Sequence, residues 1–283
     1  MNDFSELLSV MKWPAIACLL LPGMLVYLGL HIVRREIIFV DLALAQVAAL
    51  GTCVAILCHF EPDTWQAYAM SVGFTFVGAI IFTLTRNQSH HHVPQEALIG
   101  IVYVVAAALG ILLLNNSPEG NEELRRTLIG DVLLVTKKQV WRTFGLFAGI
   151  GVIHFVFRRN FLAISFEPER AVKEGISVRW WDFVFYALFG LVVTSFVQIG
   201  GVLLVFSYLI VPAVCANFLA NKFGALLLIG WITATICSLT GLYCSARYDY
   251  PTGAAIVCSL GAALLIIGLF AAFRRKAEVA AAK

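Results

Sequence analysis

Ionisable and metal-ligating side chains are sparse inside the long apolar stretches of this sequence. Each one found there is a functional candidate, because a bilayer interior makes it costly. The stretch Phe39–Cys53 is the most informative, carrying Asp41 and Gln46 among Ala45, Ala48, Ala49 and Gly51. Such small residues let neighbouring helices approach closely, so this helix suits packing against a pathway, with Asp41 and Gln46 as candidate pathway and metal-ligating residues. Five positions apart on an ideal helix, they are separated by about 140° and do not share a face cleanly. The plainer reading places Asp41 near the membrane interface and lets Gln46 bond a neighbouring helix. His31, just before Arg34 and Arg35, reads as interfacial, and His154 lies late in a later stretch. Gln198 and Asn217 read as polar glue between helices.

The run His90-His91-His92 precedes Val93-Pro94. Consecutive histidines diverge on a helix and alternate on an extended segment, so the run reads as a solvated loop in preference to a regulatory metal site. The seven cysteines include no C-x-x-C pair and mostly sit in apolar runs, where a thiol acts as a small hydrophobe. No Ser or Cys has an evident base and orienting acid beside it. There is no H-E-x-x-H pair and no glycine-rich phosphate loop followed by Lys. The reading is therefore of no catalytic residues and no directly bound cofactor; ATP-driven work would need an ATPase on another chain.

The elements that must position these residues are membrane spans. Of 283 residues, 60% are hydrophobic and 13% charged, with mean hydropathy +0.88, whereas a soluble domain carries about 25% charged residues. The fold class is all-α integral membrane. The net charge of +3 is spread over short clusters, which leaves nucleic-acid binding without support. A span needs about 20 mostly apolar residues. The stretches Trp13–Val33, Ile37–His59, Trp65–Leu84, Glu96–Leu114, Val140–Phe157, Trp181–Ile199, Gly200–Ala220, Gly224–Cys244 and Thr252–Phe273 qualify. They make about nine helices, within eight to ten. The start Met-Asn-Asp-Phe-Ser-Glu is acidic and no small-residue cleavage site follows the first apolar run, so that span is expected to stay.

Lys and Arg in short loops set orientation. Arg34-Arg35, Arg86, Arg158-Arg159 with Arg170 and Lys173, Lys222 and Arg274-Arg275-Lys276 fall on one side, which reads as the cytoplasm. The loops His59–Thr64, Asn115–Glu123 and Ala246–Tyr250 opposite are acidic or nearly neutral, while Arg125-Arg126 and Lys137-Lys138 break the pattern. The N-terminus then lies outside and the C-terminus inside. Leu124–Thr136 is too short to cross; it reads as a re-entrant piece covered by protein or water, or as an amphipathic outer-face helix. Phe166–Gly175 is a charged island between apolar stretches. It reads as a cytoplasmic docking helix over 166–176 for a partner that consumes ATP. Gly200, Gly201 and Pro212 are expected to break one apolar run, and Pro251 and Gly253 to open the last span behind Asp249. Broken helices line pathways more often than they pack idly.

Taken in order, these segments resemble the membrane permeases of ATP-binding-cassette importers for divalent metal cations, the zinc, manganese and iron class. The resemblance covers most of the chain, from about Leu20 to Phe273. It rests on Ala43–Gly51, Glu96–Ile101, Ala108–Leu112, Leu128–Leu133, Phe166–Ala171 with Gly175, Gly200–Val205 with Leu209–Ala213, and Pro251–Gly253. Their order and spacing carry it, not any single segment. The resemblance implies one permease domain over 1–283 in the cytoplasmic membrane, related to vitamin B12 and siderophore importer permeases. It further implies a second permease copy, cytoplasmic ATPase subunits that use the ATP, and an extracytoplasmic metal-binding protein that delivers the ion. Coupling would run through Glu167, Glu169, Arg170 and Gly175 into a groove on the ATPase.

One departure bears on cargo. Well-known zinc and manganese members place Asp four residues before His in the second-helix signature; the matching positions here are Leu42 and Gln46, and Leu50 replaces a helix-ending Pro. Asp41 is adjacent but points about 100° away. Either Asp41 and Gln46 belong to a rebuilt site, or the cargo is different or chelated. Two other classes compete: an ATPase-independent carrier or channel for a small cation would show inverted repeats or paired intramembrane charges, and an intramembrane enzyme would need a convergent catalytic set. Neither signature is visible.

Overall fold

The structure, a computed structural model, describes residues 2–61, 64–85, 94–115, 130 and 132–281, with side chains described from Met11 to Arg274. His90-His91-His92, Leu124–Ile129 and Asp131 lie outside the described residues. The helices in order are α1 (Asn2–Arg35), α2 (Val40–Leu57), α3 (Trp65–Thr85), α4 (Gln95–Leu114), α5 (Lys137–Val156), α6 (Arg158–Phe166), α7 (Pro168–Lys173), α8 (Val178–Leu219), α9 (Phe223–Tyr248) and α10 (Thr252–Ala281). A single 3-10 turn, Val132–Leu134, precedes α5. No strand occurs among the described residues.

Eight of these helices are long and apolar enough to cross a membrane. They are apolar on all sides, as lipid on one side and protein on the other require. The longest, α8, has 42 residues; straight, it would measure about 63 Å, roughly twice a hydrocarbon core of about 30 Å. It is not straight. Gly201 has φ 71° and ψ 168°, a conformation essentially reserved for glycine. The Phe196 and Tyr208 rings, 12 positions apart, lie only 5.8 Å from each other, where a continuous helix would separate their backbones by about 18 Å. So α8 is a hairpin of two limbs, 178–200 and 202–219, and counting the limbs separately gives nine crossings.

The expected second break does not occur. The helix continues through Pro212, which is buried in the second limb. The carbonyl that proline leaves without its usual partner is tolerated because neighbouring helices enclose the limb. Gly253 likewise sits within the helical start of α10, with Pro251 just before it.

The α8 hairpin is the centre of the bundle: 72% of its most apolar window is buried, against 22% for α4 and 11% for α10 at the periphery. It packs on α1, α2, α3, α9 and α10. Alternating crossings place residues 36–39, α6, α7 and 220–222 on one face, here the island face. The 3-10 turn, Gly201 and the turn at 249–251 lie on the other. There Gly130, at φ +63°, packs so tightly on the α8 turn that a Cβ would stand 2.1 Å from the Gly200 carbonyl carbon. Thr136 then starts α5 with a capping box, its hydroxyl accepting from the Gln139 amide while the Gln139 side chain accepts from the Thr136 amide.

Candidate functional site

Two regions carry the candidate residues. The first is α2. Small side chains bring α3 close enough for the Ser71 hydroxyl to donate to the Ala48 carbonyl at 2.8 Å. Most of α2 is buried, and the positions left partly open include Leu42 and Ala49, with Gln46 between them at 9% exposure. Spaced four and three apart, these residues share one face. Asp41 is not on it. Its side chain is fully buried, and neither carboxylate oxygen makes a hydrogen bond of good geometry, although the amides of its own helix start face it. The structure therefore separates Asp41 and Gln46. Among the described residues no group of three or more His, Cys, Asp or Glu could hold a metal ion.

The second region is the island. Phe166 ends α6, Glu167 turns the chain, and Pro168 opens α7 at a position where its missing N–H costs nothing. Ala171 is fully buried and α7 packs on α6, whereas Glu169, Val172 and Lys173 stay exposed. Gly175 closes the turn at φ +72°. Arg170 bonds Glu167 and Glu174, each at 2.8 Å, and Arg159 reaches Glu174 at 2.9 Å. The hydrogen bond to Glu167, then that to Glu174, holds the Arg170 guanidinium above its ordinary pKa. Those from Arg170 and then Arg159 hold the Glu174 carboxyl below its own. Arg170 is thus an internal brace, while Glu169 makes no ion pair among the described residues. A cleft of about 360 Å³ opens between the island and Phe223 at the start of α9.

A third set was not anticipated as a set. His31 is not interfacial but fully buried, and the Arg35 side chain is 4% exposed. Arg35 donates to Asp182 at 2.9 Å and to the Ser165 hydroxyl at 2.8 Å; that hydroxyl also lies 2.8 Å from His31 Nδ1. Tyr27 meets His154 Nδ1 at 3.0 Å, and the His154 ring stacks on Phe161 at 4.1 Å. The signal available was the spacing Tyr27, His31, Arg35, which puts three polar residues on one face of α1 at i, i+4 and i+8. Their partners could not be read from it.

A helical bundle with nine crossings, a central broken helix and a braced, charged helix standing off one face is the architecture of a multi-pass membrane transport protein. The chain belongs to the ABC 3 transport family, whose model matches residues 8–271. It is 31% identical over 232 residues to the manganese transport system membrane protein MntC of Listeria monocytogenes, covering 77% of this chain and 81% of that one. It is 26% identical over 221 residues to the manganese import system permease protein ScaB of Streptococcus parasanguinis, covering 76% and 78%. Its fold is similar to that of PsaBC from Streptococcus pneumoniae in complex with Fab, with TM-score 0.79, 22% identity and 94% of each chain covered.

Proposed function

We infer that this chain is the permease subunit of an ATP-driven importer of divalent metal ions in the cytoplasmic membrane. Family membership and relatives named as manganese transport and import proteins support the class and the cargo. The observation that carries the coupling assignment is the island. A short helix with one buried alanine, braced internally by Arg170, presents Glu169, Val172 and Lys173 outward. That is the form of a docking element for a cytoplasmic ATPase. Arg158, Arg159, Arg170, Lys173, Arg179 and Lys222 gather on the same face, which supports that face as cytoplasmic, with the N-terminus outside and the C-terminus inside. An extracytoplasmic metal-binding protein and a second permease copy complete the assembly. The Leu42, Gln46 and Ala49 face of α2 lines the cargo pathway; Asp41 reaches it only if α2 turns.

The test is uptake of manganese by liposomes holding the permease, its ATPase and the binding protein. Glu169→Arg is expected to weaken ATPase binding and uptake with the permease still folded. Full uptake and full ATPase binding in that variant would remove α7 as the docking element. Gln46→Leu is expected to change uptake of manganese without changing ATPase binding, and wild-type uptake would take Gln46 off the pathway.

A further inference from the structure

The buried polar cluster beneath the island is built from other elements than the α2 face proposed for the cargo, and its centre is a cation, Arg35, which repels a metal ion. Its members come from the elements that a docking event would have to move. Ser165 is the penultimate residue of α6, two positions before the chain turns at Glu167 into α7. The two helices are joined by Glu167 alone. The Glu167 amide donates to the Ala163 carbonyl at 2.9 Å, and the Ala171 amide to the Glu167 carbonyl at 3.1 Å. The Arg159–Glu174 pair clasps the start of α6 to the end of α7. So α6 and α7 form one hydrogen-bonded unit, and displacing α7 displaces Ser165.

Ser165 in turn holds α1 through His31 and Arg35, and Arg35 holds the first limb of α8 through Asp182. From Asp182 that limb runs about 28 Å to Gly201, where the backbone of Gly130 sits against the turn on the opposite face. Aromatic rings flank the cluster. Phe166, Phe185 and Phe223 lie 5.6, 5.8 and 6.1 Å from the His31 ring, and the Arg35 guanidinium sits 4.0 Å over Phe185. The side chains of His31, Arg35, Ser165 and Asp182 are buried, so a bond lost among them is not readily replaced by bulk water. Such a set tolerates an intact arrangement or a repacked one and little between, which is the property a mechanical joint needs.

We propose that Ser165, with Arg35, His31 and Asp182, is the joint through which movement of the α6–α7 unit is passed to α1 and α8. These are positioning residues of the transport cycle. The proposal rests on the docking reading above. It is tested in liposomes carrying the complete transporter, with manganese uptake and ATP hydrolysis measured on the same vesicles and ATPase binding measured separately. Ser165→Ala is expected to keep the ATPase bound and hydrolysing while lowering manganese moved per ATP by at least about fivefold. Ser165→Thr, which restores the hydroxyl, is expected to return the ratio. Arg159→Gln breaks only the exposed clasp and is expected to lower the same ratio, so it decides the question if Ser165→Ala does not fold. An unchanged ratio in folded Ser165→Ala, or in Arg159→Gln where it stands in, overturns the joint. Failure of the docking reading shows elsewhere, as full ATPase binding and uptake in Glu169→Arg.

Discussion

The Arg35–Asp182 pair offers the sharpest test of the packing. Arg35→Met and Asp182→Leu each remove one charge and leave the other inside the bundle, at side-chain exposures of 4% and 0%. Breaking a buried ion pair from one side costs about 3–5 kcal/mol, because the remaining buried charge loses its ion-pair partner. Arg35 also donates to Ser165 and stacks on Phe185 at 4.0 Å, so its replacement falls at the upper end. The double variant removes both charges and leaves apolar side chains of similar volume. Its cost should fall short of the sum of the two by about 2–3 kcal/mol. Thermal unfolding in detergent, followed with a thiol-reactive dye after the exposed Cys58 and Cys258 are replaced, reads this, since Cys18, Cys215 and Cys237 form no disulfide and are buried until the bundle opens. Strict additivity of the two single losses would refute the pair as a coupled buried unit.

Three further outcomes follow from single features. Asp41→Leu should raise stability by about 1–3 kcal/mol, since it removes a buried carboxylate without well-formed hydrogen bonds; a lower unfolding temperature would mean that a partner satisfies it in the assembly. Gly201→Ala should cost about 1–3 kcal/mol by forcing a side chain into a glycine-only backbone region, and an unchanged unfolding temperature would contradict the hairpin. Hydrogen bonds from Arg170 and Arg159 hold Glu174 below its ordinary pKa, so its contribution to the island is present at neutral pH. That contribution is lost as pH falls below the ordinary glutamate range and through the depressed value. Amide exchange in α7, corrected for intrinsic rate, should lose protection over that fall, and Glu174→Gln should show the loss at neutral pH; equal protection in both would refute the brace.

The candidate residues divide by how local their determinants are. Gly201 was legible because only glycine takes its conformation and because it interrupts an apolar run too long for one crossing. Pro212 reads from sequence as a break, yet the helix runs through it: the missing N–H is a local fact, but whether a helix bends there depends on what encloses it. Gln46 and Asp41 could be placed on different faces from spacing alone, yet spacing could not say which face stays open. That is decided by α3, α4 and α8 packing on α2. From sequence His31 reads as interfacial and Arg35 as a cytoplasmic loop charge, because they end an apolar stretch beside charges. They are buried because α6 folds back over the end of α1.

An all-α membrane protein of about nine helices and a charged island between apolar stretches are legible in the sequence alone. Each of these follows from the composition of contiguous segments, which lipid and water sort independently of how the segments pack. Tertiary packing alone brings Tyr27, His31, Arg35, His154, Ser165 and Asp182 together beneath the island and leaves the Gln46 face of α2 partly open while Asp41 is fully buried. Ser165 lies 134 positions from His31, and Asp182 lies 147 from Arg35. No helical period spans such separations; they close because α6 packs on both α1 and the α8 hairpin, and α1 packs on α8.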